Sequence, residues 1–206
     1  MPRIAVFAKA PVPGEVKTRL APILGPDGAA ALQEGLVRHA LSAAIASGVG
    51  AVELHCAPDE RHAFFERCAK QFHVALVAQR GADLGSRMRH AFGRAFEAGH
   101  ALIVIGSDCP ALGPGDLVAA RDALRDEQAV IMPAEDGGYV LIGLSANVPG
   151  LFDGVDWGTA AVLGQTRKRF AQAGVRCREL RELWDVDRPE DYARLQAEGL
   201  LGEVLS

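Results

Sequence analysis

The run "ALIVIG" at 101–106 limits what this chain can fold into more than any other stretch. It is apolar at every position, short, and rich in β-branched residues. That pattern suits a central strand of a parallel sheet covered on both faces. Such a strand needs helices above and below it, and the flanking sequence supplies them. Strand-like runs at 3–7, 51–56, 73–79, 101–106, 129–133, 139–145 and 175–180 alternate with helical periodicity at 26–48, 59–71, 84–99, 115–125, 159–173 and about 189–198. The alternation predicts an α/β fold, a three-layer sandwich with a mainly parallel sheet. "AEDGG" at 134–138 is too short for a crossover helix, so strand 139–145 is expected to run against its neighbours. No repeat or long linker interrupts the pattern, and the 206 residues suit a single domain, 1–206.

A net charge of −4 lacks the basic footprint of a nucleic-acid-binding protein, so no nucleic-acid partner is expected. No apolar stretch approaches the roughly 20 residues of a membrane span. The N-terminus has no apolar region of signal-peptide length, which makes a cytoplasmic location the expectation. Cys56, Cys68, Cys109 and Cys177 lack metal-ligand spacing and are expected to be free thiols.

In open α/β sheets, ligands bind beyond the carboxyl ends of the strands. The polar punctuation of the chain falls there. "AKAPVPGEVKTRL" after the first strand presents Lys9, Lys17, Thr18 and Arg19. It is no P-loop, since Pro11 and Val16 stand where that motif needs glycines. A proline-stiffened turn carrying cations suits a pyrophosphate group, or is simply a solvated loop. "SDCP" sets Asp108 directly behind a buried strand, as a ligand for Mg²⁺ or Mn²⁺ or as a turn cap. "DVDRPED" offers Asp185 and Asp187 on an extended segment, of which one is expected to face the site. "AEDGGY" holds Asp136 before Gly137 and Gly138, which a hairpin turn explains as well as a substrate contact. "QRGADLGSRM" brings Gln79, Gly81, Gly85 and Arg87 to a helix start, a place that attracts anions and equally an ordinary cap.

Taken together and in order, "FAKAPVPGEVKTRL", "QRGADLGSRM", "IGSDCPAL", "PAEDGGYVLIGL" and "LWDVDRPEDY" resemble the bacterial glycosyltransferase-like family labelled radical-SAM/selenodomain-associated transferases. That family lies within the nucleotide-diphospho-sugar transferase superfamily. The "KTRLA" spacing is also similar to the phospholactate guanylyltransferases of the same superfamily. The sugar-nucleotidyltransferase opening, a glycine-rich loop running into Arg-Met-Gly, is absent, and Arg188 stands where many relatives have threonine.

The resemblance implies a glycosyltransferase A-like fold and a divalent metal, Mg²⁺ or Mn²⁺. Asp108 would be the metal-binding aspartate, with Asp187 as the second carboxylate. Lys9, Lys17, Thr18 and Arg19 would line the nucleotide phosphates. Gln79, Gly81, Gly85 and Arg87 would lie near base and ribose. Asp136, Gly137 and Gly138 would sit on the sugar or acceptor side, with Trp157, Gly158 and Thr159 closing over it. The expected partners are a nucleotide or nucleotide-sugar and a small-molecule acceptor.

The expected activity is glycosyl transfer from a nucleotide-sugar, with Lys17, Arg19 and the metal stabilising the leaving diphosphate and Asp136 handling the acceptor hydroxyl. The alternatives are guanylyltransferase-like nucleotidyl transfer to a phosphorylated small molecule, and a nucleotide-binding module without catalysis.

Overall fold

A computed structural model describes residues 1–205. Its elements are β1 (Arg3–Lys9), α1 (Ala21–Ala46), β2 (Val52–Ala57), α2 (Ala63–Phe72), β3 (Ala75–Ala78), α3 (Leu84–Glu97), β4 (Leu102–Gly106), α4 (Pro114–Asp126), β5 (Ala129–Pro133), β6 (Tyr139–Leu144), α5 (Val162–Gln172), β7 (Cys177–Glu179), α6 (Pro189–Ala197) and α7 (Leu201–Leu205). The strands form one sheet in the order β3-β2-β1-β4-β6-β5-β7. Only β6 runs antiparallel to its neighbours, β4 and β5, as the short 134–138 turn requires.

Period-2 alternation divides the strands between two cores. Ile4, Val6 and Ala8 of β1, with Ile103 and Ile105 of β4, meet α1, α2 and α4 through Leu41, Phe64, Phe65 and Leu117. Ala5, Phe7, Leu102 and Val104 turn the other way, onto Met88 and Phe92 of α3 and Phe170 of α5. The result is the expected three layers, with β4 buried on both faces.

Several boundaries differ from the sequence expectation. Within α1 a short helical stretch from Ala21 comes first; Gly25, at φ 69° and ψ 166°, leaves the helical region and parts it from the long helix that begins at Pro26, as expected. α2 begins at Ala63, capped by His62, whose ring accepts from the Phe64 amide; Asp59 instead accepts from the Arg61 amide in the preceding turn. α5 begins at Val162 rather than 159, since residues 156–161 form a separate turn.

The apolar C-terminal stretch finishes the chain's own core. Val204 of α7 joins Leu20, Leu32, Leu36, Trp184, Val186 and Leu195 in a third cluster. This docking explains Gly35: a Cβ there would lie 2.3 Å from the Val204 carbonyl oxygen. Gly35→Ala is therefore expected to lower stability by about 1–3 kcal/mol in urea unfolding. An unchanged midpoint would mean that α7 does not pack there.

On the α3 side of the sheet, Glu53 accepts from Arg3 at 2.8 Å and pairs with the buried His55 ring at 3.2 Å, which stacks on Phe7. The His55 hydrogen bond, opposed by burial and reinforced by the charges of His55 and Arg94 and by the Arg3 hydrogen bond, holds the Glu53 carboxyl down to about 2. A depressed carboxyl stabilises the fold above its unfolded pKa and loses that contribution as pH falls through the folded value. Glu53→Gln should thus melt lower than the native chain near neutrality, and the gap should close as pH drops from 4.5 to about 2. A gap that stayed constant across that range would sink the assignment.

Candidate active site

The carboxyl ends of β1, β2, β3, β4 and β5 lie along one edge of the sheet, together with the start of the reversed β6. Strand order reverses direction between β1 and β4, the switch point where open α/β sheets form a crevice. Segment 183–187 crosses this edge. Leu183 hydrogen-bonds Pro133 and Glu135 behind β5, and the Val186 amide donates to the Asp108 carbonyl behind β4. Residues far apart in sequence meet there.

Lys17 is the pivot. Its side chain is 4% exposed, and Nζ lies 2.7 Å from Asp108 Oδ1 and donates to the Val186 carbonyl at 2.7 Å. Its backbone has φ 47°, a left-handed conformation unusual for a residue with a Cβ. Such local strain persists only where surrounding contacts enforce it. Here a buried ammonium bonded to two other segments is what enforces it. The expectation that Lys17 serves phosphates is thereby narrowed: the ammonium is already engaged with Asp108 and the protein backbone.

The carboxylates gather around this lysine. Burial first, then the nearby charges of Asp136 and Asp108, push Asp185 up to about 6, with Lys17 pulling the other way. Asp108 Oδ1 is shielded from water and accepts no directed hydrogen bond, the Lys17 ammonium being its charge partner. Asp136 Oδ1 accepts from the Gly138 amide at 2.8 Å, which fixes the carboxylate on its turn.

Asp187 does not join them. Its carboxylate pairs with Arg19, and its amide donates to Asp191. Residues two apart on an extended segment share a face, so both carboxylates emerge opposite the buried Val186, and their partners are what separate them. The second carboxylate beside Asp108 is Asp185, which the sequence left as an open choice.

Among the described residues, no group of three or more His, Cys, Asp or Glu side chains is poised to hold a metal ion. The site nonetheless fits a hard cation, because Asp185 meets neighbouring negative charge and Asp108, with Oδ1 on Lys17, still has a half-exposed carboxylate. Mg²⁺ and Mn²⁺ typically take one or two protein carboxylates and complete their shell with substrate phosphates and water. Asp108 and Asp185 are the residues able to hold such an ion with phosphates present.

The remaining candidates frame the edge. Lys9 is exposed at the end of β1, and Thr18 and Arg19 are exposed before α1. Gln79 bonds the backbone at the ends of β1 and β2. Arg87 Nε donates to the Gly81 carbonyl, closing the 81–87 turn on itself rather than leaving that nitrogen for a ligand. Gly85 has a packing reason: a Cβ would lie 2.6 Å from Trp157 Nε1. Gly137, with φ 87°, approaches Ala160 so closely that a Cβ would lie 2.5 Å from its carbonyl oxygen. The 155–161 loop thus spans from the start of α3 to the β5–β6 turn. Trp157 is wedged between Tyr139 and Phe152, and Thr159 is occupied by loop hydrogen bonds to Asp156 and Ala161. A hollow of about 380 Å³ between α3 and the 147–153 loop lies apart from the acidic residues.

Sequence reasoning missed Gln33 and Ser107. Gln33 Nε2 on α1 donates to Ser107 Oγ at 3.3 Å, anchoring the residue before Asp108 from beneath. A lone glutamine on an apolar helical face was the available signal.

The fold is that of the nucleotide-diphospho-sugar transferases, and the protein is a transferase. Residues 40–159 match the profile of a family described as an uncharacterized protein conserved in bacteria (DUF2064), and the chain belongs to that family. It is 31% identical to a solved protein from Desulfovibrio desulfuricans G20 named as a candidate nucleotide-diphospho-sugar transferase, with 99% of each chain covered and a TM-score of 0.83. It is 29% identical to the phosphoenolpyruvate guanylyltransferase of Rubrobacter xylanophilus, over 95% of this chain and 96% of that one. The inositol-1-phosphate CTP transferase of T. maritima shares the fold at 13% identity and a TM-score of 0.62, with 99% and 96% covered. No helix among the described residues is long and apolar enough to cross a membrane.

Proposed function

We propose that the protein is a metal-assisted nucleotidyltransferase that joins a nucleoside triphosphate to a small phosphorylated acceptor. The observation that carries the reading is the buried Lys17–Asp108 pair at the sheet's switch point, with Asp185 close enough to feel the charges of Asp108, Asp136 and Lys17. An acceptor phosphate oxygen attacks the α-phosphorus, a new P–O bond forms, the bond to the β-phosphate breaks, and pyrophosphate leaves. An anionic phosphate attacker needs no general base, which matches a site whose carboxylates cluster with one another. Asp108 and Asp185 would hold the metal, and Lys17 keeps Asp108 in place. Lys9 and the exposed Arg19 face the phosphates from the β1 loop. Bound Mg²⁺ or Mn²⁺ would neutralise charge developing on the leaving pyrophosphate. The guanylyltransferase named among the relatives supports this chemistry over the whole chain length.

Glycosyl transfer from a nucleotide-sugar is the second reading. It is favoured by the exposed Asp136, able to take an acceptor proton, and by the Desulfovibrio relative. Melting temperatures with nucleoside triphosphates and with nucleotide-sugars, each with and without Mn²⁺, separate the two. They are to be joined by assays of product release with phosphoenolpyruvate and other phosphorylated acids. Pyrophosphate released from a triphosphate supports the first reading, and nucleoside diphosphate released from a nucleotide-sugar supports the second. Binding without release of either product indicates a nucleotide-binding module, and no binding at all defeats every reading.

A further inference from the structure

The sheet ends in β3 on one side and β7 on the other, and the two edges are built differently. β7 is guarded: Arg176 and Arg178 pair with Glu127, and Arg167 pairs with Glu179. Charges of this kind keep an edge from pairing with another chain. β3 has no such guard. The run "VALVAQ" at 74–79 carries no charge and no proline, and its register with β2 is unbroken by a bulge. Ala75 is exposed, and Leu76, Val77 and Ala78 are half-buried.

Gln79 sets the phase of the hydrogen bonds here, because its amide donates to the Cys56 carbonyl of β2. Main-chain groups alternate sides along a strand, so Ala75 and Val77 also face β2. Leu76 and Ala78 turn their N–H and C=O groups outward, where no hydrogen bond reaches them among the described residues. Side chains alternate as well. Leu76 packs into the core beneath α1 and α2, while Val77 shares the opposite face with its neighbour His55.

Helix α2 lies above this edge, and its two flanks are distinguishable. Arg67 pairs with Glu34 of α1 at 3.0 Å and lies over the Phe64 ring, so that flank faces α1. At 3.6 residues per turn, Glu66 and Ala69 fall on the other flank, toward the β3 edge. Exposed Glu60 and Glu66 mark the end of α2 nearer the carboxyl ends of the strands, and exposed Lys70 marks the opposite end.

We propose that the β3 edge receives a second copy of this chain, the two β3 strands pairing antiparallel about a two-fold axis at Val77. The edge is self-complementary in that arrangement. Leu76 of each copy meets Ala78 of the other as a hydrogen-bonded pair, using the outward groups of both, and Val77 meets its own counterpart as the non-hydrogen-bonded pair between them. The same axis sets the two α2 helices side by side and antiparallel. Glu60 and Glu66 of one copy then approach Lys70 of the other, and Ala69 leaves room for the helices to draw close. Two seven-stranded sheets become one continuous sheet.

Sedimentation velocity on the full chain, from about 1 µM to about 1 mM, should show the mass double as concentration rises. Val77→Lys and Val77→Glu each set like charges directly opposite one another, and either alone should weaken self-association about tenfold or more. An equimolar mixture of the two should associate again, as a Lys–Glu heterodimer. A valine that mattered only to folding would give no such recovery. Amide exchange on the native chain needs no variant: the Leu76 and Ala78 amides should exchange more slowly as concentration rises. A chain that stays monomeric throughout leaves the edge to a strand of some other protein and overturns the proposal. So do a dimer that both variants retain, a mixture that fails to recover, and β3 exchange that ignores concentration. None of these results bears on nucleotidyl transfer, which is tested separately by product release.

Discussion

Asp108→Asn is expected to cut turnover about a thousandfold or more while leaving the protein folded, the loss corresponding to several kcal/mol of transition-state stabilisation. The fold should survive because asparagine keeps an oxygen at the position that faces Lys17, and because the Asp108 backbone carbonyl, not the side chain, anchors Val186. The substituted group is a neutral amide, a poor ligand for a hard cation. Metal-dependent shifts in melting temperature on adding nucleotide should vanish with the activity. Asp136→Asn makes the contrast. An anionic phosphate attacker needs no base, so nucleotidyl transfer should lose little, whereas glycosyl transfer through Asp136 should lose about a hundredfold or more. Equal, mild losses in both variants would mean that the acidic cluster is not where chemistry occurs.

How far the chain could be read in advance varied with the range of the interactions involved. Strand β4 was legible because a fully apolar run has few other places to go, and reversed β6 because 134–138 is too short to cross over. Loop placement follows from strand direction, which is why Lys17, Asp108 and Asp136 stand out from the sequence alone. What resisted were features set by contacts across the fold. The helix from Pro26 is legible, but the extra helical stretch at 21–24, parted from it by the non-helical Gly25, is set by Leu20 and Leu32 on either side joining one cluster. Asp185 and Asp187 have the same local setting. Only the arrival of Arg19 beside one, and of Asp108 and Asp136 beside the other, tells them apart. The left-handed backbone of Lys17 has no sequence signature at all, since lysine carries no preference for it.

That backbone makes Lys17→Met the most informative single change at the site. Methionine keeps the length and apolar stem of lysine and so fills the same buried channel. It removes the ammonium, leaving the buried Val186 carbonyl without its donor at a cost of about 1–3 kcal/mol. Part of this is offset because a buried charge no longer has to be held away from water. Stability should therefore fall only modestly. Activity should fall further, by about a hundredfold, because Asp108 loses the partner that holds Oδ1 in place and preorganised charge does much of the work in such sites. Lys17→Arg should not rescue it. A planar fork is bulkier than a point-like ammonium and cannot meet Asp108 and the Val186 carbonyl in the same small space. Comparing kcat/KM with the urea midpoint in both variants separates the roles. If activity tracked stability alone, Lys17 would be a strut between segments; a loss well beyond that places its charge within the catalytic machinery.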